Sequence, residues 1–353
     1  MEIKSLESIL GGYYIKYESL FRMCNEAFKD VNINNNNQHD SIDIYIDIFD
    51  MIKPIYTTEY SMTKKYGFVS AIINLAAHFR TYFWSRHRLY PKIYMIYGDY
   101  TNTNIYCPEM NNRSITNTVN YLQNKNLVDM ELELVKILCA YINNIYFIKR
   151  SSNCGMFILD NINKNNNHYA IIISKDKLLY QIPALLNNAI IFRPKKNKGE
   201  DLSYYINKNN VLRLFFTKAS PGTITNLSAI NPELLSVLIA LNGFPQYNIK
   251  SIVNINTAIS LLNDAINNNR LLNKRITDIR YLYKQLYGIE NYTDETLFIN
   301  RFNAIDILFN YAIYNSSIES KDISWNLNLS DAKTIKDINN KFFANNPLDL
   351  NAF

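Results

Sequence analysis

Apolar residues recur along this chain with two periods, and the alternation between them lays out its elements. Residues 41–49 (SIDIYIDIF) alternate apolar and polar positions with β-branched residues, which predicts a first strand ending near Asp47. Residues 63–90 carry Val69, Ile72, Ile73, Ala76, Phe79, Tyr82 and Phe83 at helical spacing, and Pro91 stops that helix. KIYMIY, 92–97, predicts a second strand, with Gly98 and Asp99 at its carboxyl end. Residues 118–143 read as helix, 145–148 as a short third strand and 151–163 as another helix. The run 170–173 predicts a buried strand, which Ser174, Lys175 and Asp176 leave for a turn into helix. Residues 189–192 and 211–216 predict two further strands, and 231–314 is helical in pattern, with Gly288 as a C-cap. An amphipathic helix over 1–30, a polar linker over 32–40 and a loosely attached polar tail complete the pattern.

Strands alternating with helices imply an α/β fold with a parallel sheet, followed by a helical extension. The expected division is 1–40, an N-terminal helix and linker; 41–220, the α/β domain; 221–316, the helical region; and 317–353, the polar tail. In a parallel sheet, Asp47, Asp99 and Asp176 share the carboxyl edge, where open α/β sheets place their ligands. Clustered carboxylates repel and call for a shared proton or a cation, and hard ions such as Mg²⁺ favour oxygen ligands. The alternative for Asp176 is a structural one, because Asp is a favoured helix cap.

Composition narrows this picture without deciding it. Hydrophobic residues make up 48% of the 353, ample for a sizeable core. The net charge of +6 is compatible with a polyanionic partner. Four cysteines without metal-like spacing read as reduced thiols, which points to a cytoplasmic setting. The first residues lack a signal-peptide pattern, and no apolar run reaches the ~18 residues of a membrane span, so no membrane is expected. Heavy use of Asn, Ile, Lys and Tyr is a bias of AT-rich coding sequences, those of many viruses and phages among them.

The order of elements over 41–266 resembles the flap endonuclease and PIN-like 5′-nuclease superfamily. Residues 44–49 look like that family's first strand, ending in a metal-binding aspartate, here Asp47. KIYMIYGD looks like its second strand with the following acidic position, and AIIISKDKLLYQIP like its late strand, with Ser174, Asp176 and Gln181 matching. Residues 231–266 resemble its helix-three-turn-helix, which grips duplex backbone. Ala240, Leu241, Gly243, Asn248 and Ile249 match there, as do Thr257, Ala258, Leu261 and Leu262. Glycines of the family's turn are replaced by Val253, Asn254, Ile255 and Asn256, and Asn is the residue after Gly that best tolerates left-handed backbone. The resemblance implies Asp47 and Asp176 as catalytic residues, and Asp47, Asp99 and Asp176 as ligands of a weakly held Mg²⁺ or Mn²⁺. It implies duplex or flapped DNA as partner. The basic candidates for contact are Arg80, Arg86, Arg88, Lys195, Lys196, Lys198 and Lys250, with Asn254 and Asn256 at the turn.

The acidic set is incomplete. SNCG, 152–155, stands where the family has a carboxylate cluster, with Asp160 more than a turn further on. Leu178 replaces a second acidic position, Phe244, Pro245 and Gln246 replace another pair, and Asp99 is displaced from the position of Tyr97. The expectation is a nuclease fold with an eroded metal site that binds DNA, in viral DNA metabolism. The alternatives are an active Mg²⁺-dependent nuclease and a structural or scaffold protein that kept the fold. His78 reads as a core histidine, 193–199 (RPKKNKG) as a solvated hairpin tip, and the many Tyr and Phe as core packing. Positive potential over the Asp47–Asp176 edge favours the DNA readings; a covered edge favours the structural one.

Overall fold

A computed structural model describes residues 41–48, 67–98, 119–150, 154–165, 168–193, 205–217, 219–247, 249–271, 276–287, 292–308, 323–325 and 332–342. The expected helix over 1–30, the linker, the C-cap at Gly288, Asp99 and residues 194–199 of the basic tip lie outside these residues. Among the described residues, seven strands form one sheet in the order β6-β5-β4-β1-β2-β3-β7. They are β1 (Ile42–Asp47), β2 (Lys92–Gly98), β3 (Ile145–Arg150), β4 (Tyr169–Ile173), β5 (Ala189–Phe192), β6 (Tyr205–Ile206) and β7 (Ile323–Trp325). The five central strands are parallel, and the edge strands β6 and β7 run antiparallel to their neighbours.

Long helices connect the parallel strands: α1 (Gly67–His87) precedes β2, α2 (Val119–Tyr141) precedes β3 and α3 (Gly155–Lys164) precedes β4. Every residue of β1 is buried, so the sheet is covered on both faces, as parallel sheets are. The polar positions of the alternating pattern are therefore interior: Asp43 and Asp47 are 1% and 0% exposed. Side chains still alternate between faces, with Asp43, Tyr45 and Asp47 on one and Ile42, Ile44 and Ile46 on the other. On the first face Tyr45, Tyr94 and Tyr146, in register across β1, β2 and β3, stack with centroids 5.1 Å apart.

After β4 come a 3₁₀ turn (Lys177–Tyr180) and the short α4 (Gln181–Leu185). The helical region holds α5 (Val211–Phe215), α6 (Pro221–Ser228), α7 (Leu235–Asn242), α8 (Ile255–Asn267), α9 (Ile276–Tyr287) and α10 (Tyr292–Ile305). Residues 235–241 of α7 are all buried, and α8 and α10 pack on it. One apolar cluster runs from Tyr45, Ile96 and Ile172 of the sheet through Leu238 and Leu262 to Phe302, so sheet and helices share a core. Among the described residues no single helix is long and apolar enough to cross a membrane.

Two segments differ from their sequence patterns. Residues 211–216, expected as a strand, form α5. The Asn207 side chain accepts from the backbone of Asn209 and Asn210, and the Asn207 carbonyl from Val211, which winds the chain into a turn before the apolar run begins. Val211, Leu212, Phe215 and Phe216 are then buried and Arg213 is exposed, which is a helical stripe. In the stretch expected as a polar tail, β7 pairs with β3 and α11 (Ala332–Phe342) packs against α2.

Candidate functional site

Strand order reverses between β1 and β4: β1 leads outward through β2 and β3, while β4 starts the other half. That reversal opens the crevice where open α/β sheets bind ligands at their carboxyl edge. Asp47 ends β1, and the 174–176 turn follows β4 beside it. The Ser174 hydroxyl donates to Asp47 Oδ2 at 2.8 Å and accepts from the Asp176 backbone N–H at 2.9 Å. One serine thus ties both predicted aspartates into a single chain of hydrogen bonds.

The Asp176 carboxylate is engaged on both oxygens. Oδ1 accepts from the Leu178 backbone N–H at 2.9 Å and caps the 3₁₀ turn. Oδ2 accepts from the Tyr247 hydroxyl at 2.6 Å, 71 residues along the chain. Tyr247 arrives on a one-turn 3₁₀ segment (Pro245–Tyr247), where Gln246 accepts from the Lys177 N–H at 3.2 Å. Gly243 makes this approach possible: its φ is +84°, and a Cβ there would lie 2.5 Å from Ser251 N. Below the turn, Lys177 donates to the Phe215 carbonyl at 3.1 Å. Gln181, buried beside it, donates to Ile305 O at 2.9 Å and accepts from Ile307 N at 3.1 Å, clasping the end of α10.

The site is sealed. Asp47 and Asp176 are 0% exposed and Ser174 is 1% exposed. These residues do not fit the divalent ion that the family resemblance implies. Mg²⁺ gives up its waters reluctantly and needs octahedral room, whereas here both carboxylates are buried, Asp176 is engaged by protein donors on both oxygens and Asp47 accepts from Ser174. Leu178 packs against the core in the position of an expected acid, and Asp160 is paired with Lys164 at 2.6 Å on α3.

The other predicted residues are dispersed. Arg80 and Arg88 stand at the amino edge of the sheet, because α1 ends where β2 begins. β2 spans roughly 20 Å from that edge to the carboxyl edge. Arg80 donates to the Asn143 carbonyl at 3.0 Å, and burial pulls its pKa down. The Arg86 side chain, Asp99, Lys195, Lys196 and Lys198 lie outside the described residues. Lys250 is exposed in the loop between α7 and α8, and its carbonyl accepts from Arg301. Asn254 and Asn256 do not serve a left-handed turn. Asn254 has φ −69° and caps α8 by accepting from Thr257 N at 3.0 Å. Asn256 lies within α8 and accepts from the Thr223 hydroxyl at 2.6 Å. His78 is half-buried on α1.

A second buried polar group escaped the sequence reading. Asp43 faces His168 Nδ1 at 3.0 Å, and its Oδ1 has no hydrogen-bond partner among the described residues. Burial raises the Asp43 pKa, partly offset by His168. The signal was a carboxylate in the middle of an apolar strand. Tyr247 carried none: it is one of 27 tyrosines, and only the fold brings it to Asp176.

No protein-family model matches this chain, and no curated protein matches it.

Proposed function

We propose that this chain is a DNA-binding protein of PIN-like, flap-endonuclease-like layout whose strand-reversal carboxylates hold the fold together in place of metal ions. The observation that carries this reading is the state of Asp176: capped to Leu178, bonded to Tyr247 and sealed from water. Strand order, the position of Asp47 and the Ser174–Asp176 turn, and the α7–α8 hairpin behind it support the layout. Hydrolysis in such a site relies on ions that stabilise the attacking and leaving oxygens, and the described residues bring together no group of three ligands for one. Binding does not need that chemistry. Lys250 is exposed just before the capped start of α8, where the helix dipole favours a phosphate.

The test combines binding and cleavage on one labelled flap substrate. The protein is expected to bind it with an affinity that falls steeply with salt, and to leave it intact with Mg²⁺ or Mn²⁺. Lys250→Ala is expected to lower the salt slope by about 1. Metal-dependent cleavage that is lost in an Asp47→Asn/Asp176→Asn double variant would overturn the reading. The sealed edge also favours a purely structural role, which is the conclusion if no DNA is bound at low salt.

A further inference from the structure

Two large aromatic side chains stand out from the surface at the amino edge of the sheet. Trp84, on the last turn of α1, is 39% exposed, and Tyr90, just before β2, is 50% exposed. Their rings stack with centroids 4.5 Å apart and planes within 17°. The Arg88 guanidinium lies 5.3 Å from the Trp84 ring, and that of Arg80 lies 5.2 Å from the Tyr90 ring. The result is a surface ladder of two rings and two guanidiniums.

The backbone beneath it is costly. α1 ends with Arg88 N donating to Trp84 O, the bond of an αL cap, and with Leu89 N donating to Phe83 O. The left-handed residue of such a cap is normally glycine, yet here it is Arg88, with φ 57°. Glycine would relax the backbone and forfeit the guanidinium on Trp84.

Along the described stretch that carries the ladder, the charge has one sign. From Gly67 to Gly98 there is no Asp or Glu, while Arg80, Arg88 and Lys92 are cationic. Asp43, opposite Lys92 in the sheet, is buried and faces His168. On α2, Glu133 lies ten residues before Asn143, about 15 Å away along a helix. Partly exposed aromatic rings stacked with arginines are what single-stranded polynucleotides recognise: bases stack and phosphates meet arginine. A duplex hides its base faces and gains only the charge.

We propose that the Trp84–Tyr90 ladder, with Arg88, is a binding surface for single-stranded DNA, separate from the carboxyl edge. An incoming base stacks against the exposed rings and displaces the Arg88 guanidinium, which then turns to the adjacent phosphate. Arg80, held by Asn143, keeps the Tyr90 ring in place. The inference takes DNA as the polymer from the reading above, but not the location of that contact.

The chain has two tryptophans, so Trp325→Phe leaves Trp84 as the only reporter. In that background, oligothymidylate is expected to quench the fluorescence and to bind more tightly than a duplex of equal length. Tyr90→Ala in this background, and Trp84→Ala followed by anisotropy, are expected to weaken single-strand binding about five- to hundred-fold and duplex binding far less. Arg88→Gly separates function from folding. It is expected to unfold at higher urea than wild type while binding oligothymidylate more weakly. Oligothymidylate binding that is unchanged in all three variants would overturn the ladder while leaving DNA binding elsewhere intact. Self-association lost in Trp84→Ala, with no binding of single strands, would assign the ladder to a protein contact and overturn it too. Absence of binding to any DNA would remove this inference and the DNA reading together, whereas metal-dependent cleavage bears on the latter alone.

Discussion

Replacing Tyr247 by Phe isolates the hydrogen bond on which the site's assignment rests. The ring is 4% exposed and packs against Phe244 with centroids 4.9 Å apart, so Phe preserves the packing and removes only the hydroxyl. The lost bond is a 2.6 Å contact from a phenol to a buried carboxylate. Hydrogen bonds to charged groups contribute about 1.5–3 kcal/mol, and the carboxylate left behind is still away from water. Tyr247→Phe should therefore lose about 1.5–3 kcal/mol in urea unfolding. Tyr281→Phe, on a half-buried ring of α9, should stay within about 0.5 kcal/mol. A cycle with Asp176→Ala separates the bond from the cap that Asp176 also makes, and a coupling in the same range is expected. A loss below about 0.5 kcal/mol for Tyr247→Phe, with no coupling to Asp176, would refute the argument, because the magnitude expected of such a bond would be missing.

Three further perturbations test the wiring around the site. Gln181→Leu leaves Ile305 O and Ile307 N unmatched, at about 1–3 kcal/mol each, and should expose the end of α10 to limited proteolysis at protease levels that spare wild type. Gly243→Ala forces a Cβ against Ser251 N and should cost more than about 1 kcal/mol in urea unfolding; a neutral result would mean that the α7–α8 loop is not held as described. Asp43→Asn tests pH dependence. Burial raises the Asp43 pKa above the ordinary 3.8, so its contribution is complete below that value and is lost as pH rises through the folded-state pKa. The stability of wild type relative to Asp43→Asn should fall from acid to neutral pH, and a difference that grows with pH would contradict this sign.

Much of the sheet was legible because its strands are short β-branched runs between helices of strong period. β1, β2, β4 and β5 lie within a residue or so of their predicted spans. The run 211–216 misled because β-branched and aromatic residues suit either structure, and the deciding hydrogen bonds come from Asn207, upstream of the pattern. At Asp176 two roles were open, metal ligand and helix cap. Sequence cannot separate them, because both place a carboxylate directly after a buried strand. The cap is visible in the Leu178 N–H, and Tyr247 adds a partner that no local pattern announces. The basic end of α1 was legible as charge but not as place. A helix that leads into a parallel strand ends at the amino edge, so Arg80 and Arg88 stand opposite Asp47 and Asp176.

The most direct test of the central claim is a titration of the full chain with Mn²⁺, followed by electron paramagnetic resonance of the free ion. If Asp47, Ser174 and Asp176 are internal structure, the free Mn²⁺ signal should grow in proportion to added metal, identically for wild type and Asp47→Asn/Asp176→Asn. A saturable site in wild type that disappears in the double variant would contradict the account, because the carboxylates would then be holding a metal ion.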